Sequence, residues 1–371
     1  MFKKFCIKWP NDVRGNIEKI FERKRMFRSI FFIFTFIFSI IALQIKLDLK
    51  GVLKDVLNDL ETQNFANYMA KWKKNYNGNE TELKRRANIW KQNKADIDAE
   101  NAIADGYTCG ENMFTDMDKK ERKNYVMDAN LADQADASIK KLATRAKRGA
   151  QMTYVGETID WRQPAYMPPV RDQGQCGSCY AFAAINAIEV QWNWLGHSLS
   201  QFSEQQIIDC SGTNNGCNGG WPEKVFNYSI YYGNAPRASY PYKGVKGTCY
   251  NTARTMTVST WYQLTTVSQM ESYNYYYGAV AFSIYVPNSI YSYTGGIFYP
   301  TQSTCTSANN VGAHSMTIVG YGAQNGVPYW IVRNSWGASW GEGGYFRMRK
   351  SVNNCGMESR GVFFPWLIGT H

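Results

Sequence analysis

The stretch QGQCGSCYAF, residues 173–182, sets Cys176 and Cys179 three apart in a glycine and serine run that gives way at once to an apolar segment. Two thiols at this spacing suit a redox pair, half of a metal site, or two cysteines with unrelated roles. A zinc site needs a second ligand pair at short spacing, and neither C-x-x-C nor H-x3-H recurs in the chain. A thioredoxin-like pair needs a βαβ frame, which the flanking sequence lacks. The run SCYAFAAINAIEVQWNWL instead reads as a helix from Cys179 to Leu195, with Ser178 as N-cap. A cysteine that opens a helix meets unpaired N–H groups and the positive end of the dipole, which favour thiolate over thiol.

Working outward, Ser203 and Gln206 form a capping box for a second helix. Beyond Gly278 the character changes to short β-branched or aromatic runs bounded by Gly, Pro or Asn: AVAFSIYV, HSMTIVGYG, PYWIVRN and GGYFRMRK. Helices first and strands later predict an α+β domain with two segregated halves. Only His197, His314 and His371 are present to take a proton from a thiol. His314 opens a strand-like run, and Asn334 comes twenty residues later in NSWG.

The 371-residue chain carries a formal charge of +11, which raises the question of nucleic acid. The excess lies early: residues 1–28 hold nine Lys/Arg against three Asp/Glu, whereas residues from 150 onward hold twelve against ten. The C-terminal part has no basic stripe, so nucleic acid is not an expected partner. The basic tail, residues 1–28, leads into the uncharged SIFFIFTFIFSIIALQI, residues 29–45. Positive charge ahead of an apolar segment keeps the N-terminus in the cytosol and sends the downstream chain across the membrane. At seventeen residues the run is short for a span, which normally needs about 20. Ser39 and Ala42 do not have the two-residue spacing of a peptidase site, so the reading is a type II anchor, with a cleaved signal peptide as the alternative. Either places residues 46–371 in a lumenal or extracellular space, where disulfides persist. Seven of the nine cysteines lie after residue 170, so three pairs leave one thiol over.

Residues 46–150 form a charged, helix-rich block. Within it Glu82, Arg86, Trp90, Asn93, Ile97 and Asn101 recur at steps of three and four, one side of a long helix that docks on something. The next motif, GENMFTD, sets Gly110, Asn112, Phe114 and Asp116 two apart, the period of a strand. The composition changes at Arg145–Met152, where Arg145, Lys147 and Arg148 offer a site for a basic-specific processing protease or form a solvated turn. Maturation after Arg148 and maturation nearer Gly156 are both open. Asn79 and Asn227 stand in N-x-[ST] sequons.

The C-G-S-C-Y run, with His314 135 residues after Cys179 and Asn334 155 after, resembles the papain-like cysteine peptidases, specifically their cathepsin L-like branch. The helix pattern and G-x-N-x-F-x-D pattern of the earlier block are similar to that branch's inhibitory propeptide. The resemblance implies a helical lobe and a β-barrel-like lobe with the active-site cleft between them, in residues 151–371, preceded by a propeptide in 46–150. It implies Cys179 as nucleophile, His314 as base in a preformed thiolate–imidazolium pair, Asn334 orienting the imidazole, Trp336 shielding that bond, and Gln173 with the Cys179 N–H facing the oxyanion. It implies disulfides Cys176–Cys217, Cys210–Cys249 and Cys305–Cys355, which makes Cys179 the odd thiol. It implies a substrate cleft lined by Gly219, Gly220, Trp221, Pro222, Ser283, Gly312, Ala313, Ser315, Trp336, Trp340 and Arg360.

Arg360 aligns with the base of the S2 pocket, where it would admit Asp or Glu at P2, unless it bends to solvent. Tyr180 replaces the family's usual Trp and Ala313 its common Asp, which implies altered rates without loss of activity. With no His between His197 and His314, an endopeptidase is expected. No cofactor or metal is called for, and the expected partners are protein and peptide substrates, the chain's own propeptide as inhibitor, and a membrane through residues 29–45. The expected location is the endolysosomal lumen or the extracellular space. A rival reading is a catalytically silent, membrane-anchored homologue that binds peptides or inhibits other peptidases; labelling of Cys179 by a thiol-directed epoxide separates the two.

Overall fold

A computed structural model describes residues 60–128, 158–305 and 312–367. The basic tail, the 29–45 segment, Cys6, the Arg145–Arg148 cluster, Gly156 and His371 lie outside the described residues. Among the described residues no helix is long and apolar enough to cross a membrane. Contacts divide the chain into a unit ending at Lys74 and a unit from Asn75 onward. In the first, residues 60–71 are helical (α1), with the Phe65 and Tyr68 rings stacked at 6.0 Å.

The second unit begins with α2, Glu80–Ile103, whose N-cap Asn79 accepts from the Glu82 N–H. The face read from the sequence docks on the segment just after the helix. Trp90 and Ile97 are buried. Asn93 Nδ2 donates to the carbonyls of Thr115 and Met117, and Asn101 exchanges two hydrogen bonds with the Cys109 backbone. Arg86 donates to Glu82, to the Asp116 carbonyl and to Glu121. The face is thus held by side-chain amides and charges as much as by apolar burial.

The period-two run at Gly110–Asp116 is not a strand. The strand β1 is Tyr107–Cys109, immediately before it, and residues 113–116 form a turn. Asn112 Oδ1 accepts from the Phe114 N–H and Thr115 Oγ1 from the Asn112 N–H, so side chains supply the bonds a ladder would have provided. Phe114 is driven into the core, edge-on to Tyr125, Tyr291 and Trp336. The short helix α3, Lys119–Arg122, comes next, with a complete capping box on Asp118 and Glu121.

After the two-residue β2, Ile159–Asp160, α4 spans Cys179–Trp194 and is buried on nearly every side, as befits the central helix of a lobe. Ser178 does not cap it; its hydroxyl pairs with Tyr242 Oη at 3.0 Å. Helix α5, Glu204–Cys210, is capped by Ser203, but Gln206 does not complete the box. Its side chain turns to the Tyr228 hydroxyl, the Gly233 carbonyl and the Ala235 N–H, because this helix end is buried and those groups need partners. Helix α6, Pro222–Tyr232, starts on proline, which suits a first turn whose N–H groups are unpaired. The buried Arg171 meets both Glu189 and Glu204, and Glu204 also takes Arg237.

The second half supplies β3 (Thr260–Leu264), α7 (Val267–Tyr277), β4 (Val280–Tyr285), β5 (Tyr293–Phe298), β6 (Ala313–Gln324), β7 (Val327–Arg333), β8 (Tyr345–Arg349) and β9 (Val362–Trp366). The sheet order is β1-β5-β8-β7-β6-β4-β9-β3, with β2 on β6 and only β5–β8 parallel. The resulting fold is α+β: α4, α5 and α6 share one apolar cluster, whereas α7 packs Met270 and Tyr273 into the core of the strand lobe. Segment 75–128 is built into the strand lobe: β1 adds antiparallel to β5 in register Tyr107↔Gly296, and Ile97, Phe114, Tyr125 and Val126 join the core formed by Tyr291, Trp336 and Phe346. Disulfides join Cys176–Cys217, Cys210–Cys249 and Cys305–Cys355, and Cys109 and Cys179 are free thiols among the described residues.

Candidate active site

Cys179 is the first residue of α4 and fully buried where that helix meets β6. Its sulfur accepts the Ser315 N–H at 3.4 Å. Burial pushes the thiol up to about 12, against the opposing pull of the Ser315, Tyr180 and Cys179 N–H groups.

His314 stands one residue before Ser315 on the same strand, opposite Ile284 of β4. The pairing of β6 with β7 ends at Thr317↔Arg333, which leaves Asn334 beside the imidazole. His314 Nε2 lies 2.7 Å from Asn334 Oδ1. That same oxygen accepts the Ser335 N–H at 2.8 Å, a backbone donor that identifies it as the amide oxygen. Nε2 must therefore carry the hydrogen, which leaves the lone pair on Nδ1, a buried atom with no hydrogen-bond partner among the described residues. The Trp336 ring stacks on the imidazole at 4.6 Å. Burial pushes His314 down to about 4. With the thiol raised and the imidazole lowered, burial in this covered site favours the neutral forms of both.

What covers the site is the segment Tyr125–Met127. Met127 exchanges two backbone hydrogen bonds with Ala313, at 2.7 and 3.0 Å. Gln173 Nε2 donates to the Tyr125 carbonyl at 3.0 Å and to the Cys176 carbonyl at 2.8 Å, while its Oε1 accepts from Ser335 Oγ at 2.5 Å. On the helical side a Cβ at Gly177 would meet the carbonyls of Cys217 and Val126, and on the strand side one at Gly312 would meet Met127. Glycine at both walls lets a backbone pass between them. Sequence reasoning missed Tyr125–Met127 and Ser335; a single backbone bridge to Ala313 has no sequence signature.

The remaining residues divide. Trp221 belongs to one apolar cluster with Met127, Cys179, Tyr180 and Ala313, and Pro222 comes next as the first residue of α6. Gly220 sits where a Cβ would meet Asn214 and the Tyr180 ring, and the Gly219 carbonyl accepts from Asn215. Tyr180 Oη donates to the Gly216 carbonyl at 3.0 Å. The Ser283 and Ser315 hydroxyls pair at 2.8 Å. Arg360 does not bend to solvent: it is buried, its guanidinium 3.3 Å from the Tyr285 ring centroid. Trp340 lies fully buried against Trp336, with ring centroids 5.2 Å apart, and its indole N–H is shared by the Ile290 and Tyr291 carbonyls. Among the described residues no cluster of His, Cys, Asp and Glu could hold a metal ion.

The sequence profile described as papain family cysteine protease matches residues 155–364, and the cathepsin propeptide inhibitor domain matches residues 65–122. A cathepsin L-like proteinase of Fasciola hepatica is 38% identical over 303 residues, covering 78% of this chain and 90% of its own. The thiol protease aleurain of Arabidopsis thaliana is 33% identical over 300 residues, covering 79% and 81%. Among solved structures, digestive procathepsin L2 proteinase of the Tenebrio molitor larval midgut superposes with a TM-score of 0.71 at 30% identity, covering 83% of this chain and 100% of that one. Procathepsin L 3 of the same source gives 0.68 at 32% identity, covering 83% and 99%.

Proposed function

The chain belongs to the papain family of cysteine proteases and is a zymogen with its own inhibitory propeptide, and on that premise we propose that it is an endopeptidase acting through a Cys179 thioester. His314 Nδ1 takes the thiol proton, and the sulfur adds to the peptide carbonyl carbon. The oxyanion forms between Gln173 Nε2 and the Cys179 N–H; collapse expels the amine, which leaves with the proton from His314, and water hydrolyses the thioester by the same route. Asn334 keeps Nε2 protonated and the ring aligned. The observation that carries this reading is the Tyr125–Met127 segment beside Cys179, which leaves a 3-10 turn at Tyr125 and runs extended at Val126, with a carbonyl oxygen already on Gln173 Nε2. A polypeptide backbone fits this cleft, and the propeptide uses that fit to inhibit. The test is cleavage of an internally quenched peptide: the matured wild-type enzyme should cut within the sequence and Cys179→Ala should not.

The zymogen enters the secretory pathway, tethered through residues 29–45, and works in an endolysosomal or extracellular space. Three disulfides support an oxidising compartment. Carbonate extraction of the precursor, with N-terminal sequencing of the mature form, decides it: a precursor released by carbonate would end the tethered reading.

A further inference from the structure

Asn186 lies on α4 seven residues beyond Cys179, two helical turns on and so on the same face, which packs against β6. It is 3% exposed, and neither its amide oxygen nor its amide nitrogen has a hydrogen-bond partner among the described residues. An amide carries two donor hydrogens and an acceptor, and groups so buried are normally satisfied. Asn186 lines a small pocket of about 10 Å³. Asn334 lines the same pocket. The Asn334 oxygen is already taken by His314 and by the Ser335 N–H, whereas its Nδ2, like Arg171 Nε in the same pocket, has no hydrogen-bond partner among the described residues. A polar pocket of this size holds about one water molecule.

We propose that a single buried water accepts from Asn334 Nδ2 and donates to Asn186 Oδ1, which makes Asn186 a positioning residue for the imidazole. The water holds the Asn334 amide plane from the side opposite His314. It also ties the helix that carries the thiol to the strand end that carries the orienting amide, so that sulfur and ring keep their relative placement once the propeptide leaves. This inference rests on the reading of Cys179, His314 and Asn334 given above.

The test uses matured enzyme whose active sites are counted by thiol titration, so that loss of folded protein does not enter kcat. Asn186→Val removes both amide groups at similar bulk and should lower kcat about tenfold with KM unchanged, the effect of one lost buried hydrogen bond. Asn186→Ser keeps a hydroxyl for the water and should stay within about threefold of wild type. An unchanged kcat in Asn186→Val, or an equal fall in both variants, overturns the proposal. Should Asn186→Val fail to mature, a high-resolution crystal structure of the wild type decides: an ordered water bonded to both amides supports the bridge, and a dry pocket overturns it. Failure of the catalytic reading shows separately, as activity surviving in Cys179→Ala.

Discussion

The side-chain amide of Gln173 donates to the carbonyl oxygen of Tyr125 at 3.0 Å, so the donor assigned to the oxyanion is already bonded to the propeptide. On the roles proposed, inhibition needs no distortion of the site: the Tyr125 carbonyl satisfies the group assigned to the oxyanion. In the matured enzyme, Gln173→Ala should lower kcat about a hundredfold with little change in KM, the usual cost of one oxyanion donor. A loss confined to KM would place Gln173 in substrate binding.

Burial raises Cys179 to about 12 and lowers His314 to about 4 in the proenzyme. Iodoacetamide should therefore alkylate Cys179 at least about a thousandfold more slowly at pH 7 before maturation than after, since the thiolate is the reactive form. Peptide mapping separates it from Cys109, which burial raises to about 11. Equal rates before and after maturation would show that the propeptide leaves the thiol ionised.

Hydrogen bonds from Arg85 and Arg86 hold the Glu82 carboxyl down to about 2, below its ordinary 4.5. A carboxylate depressed in the folded state contributes stability fully above about 4.5 and loses it as pH falls through about 2. The docking of α2 should thus persist between pH 7 and 4. In the Cys179→Ala proenzyme, Glu82→Gln should reduce hydrogen-exchange protection of α2 after correction for intrinsic rates. The gap should close only below about pH 3; closure already at pH 5 would refute this.

Arg171 and Glu204 are buried and Arg237 is 31% exposed, whereas Glu80 and Lys84 pair in the open with side chains more than 70% exposed. Glu204→Ala leaves Arg171 with Glu189 alone and Arg237 without its carboxylate, and should cost about 3 kcal/mol in urea unfolding of the Cys179→Ala proenzyme. Glu80→Ala should cost less than about 1 kcal/mol.

Arg360 stacks on Tyr285, which pairs with Ala313 beside His314. A peptide library varied at P2 should show cleavage with Asp or Glu at P2 in addition to Leu and Phe, with the acidic preference lost in Arg360→Ala. A wild-type profile without any acidic gain would assign the guanidinium to packing alone.

Legibility depended on the carrier of the signal. The six positions of α2 were readable because side chains do the docking, and their 3.6 period survives in the sequence. GENMFTD misled because Asn112 and Thr115 bond their own turn, which imitates the alternation of a strand. Gln206 mimicked a capping box while its amide served buried groups further along the chain. Cys179, His314 and Asn334 stood out as residue types, but their convergence depends on the register of β6 and β7, visible beforehand only through resemblance. The occupant of the cleft was invisible, since its bonds to Gln173 and Ala313 run through the main chain of Tyr125 and Met127.

The pairing of Tyr107–Cys109 with β5 has a cost that falls due at maturation. Once those three residues depart, β5 becomes the rim of the sheet, with N–H and C=O groups turned to solvent and Gly295 and Gly296 offering no side chain as a guard. Such a border invites a foreign strand, so the processed enzyme should be the form prone to self-association, and released propeptide should suppress that tendency by healing the rim.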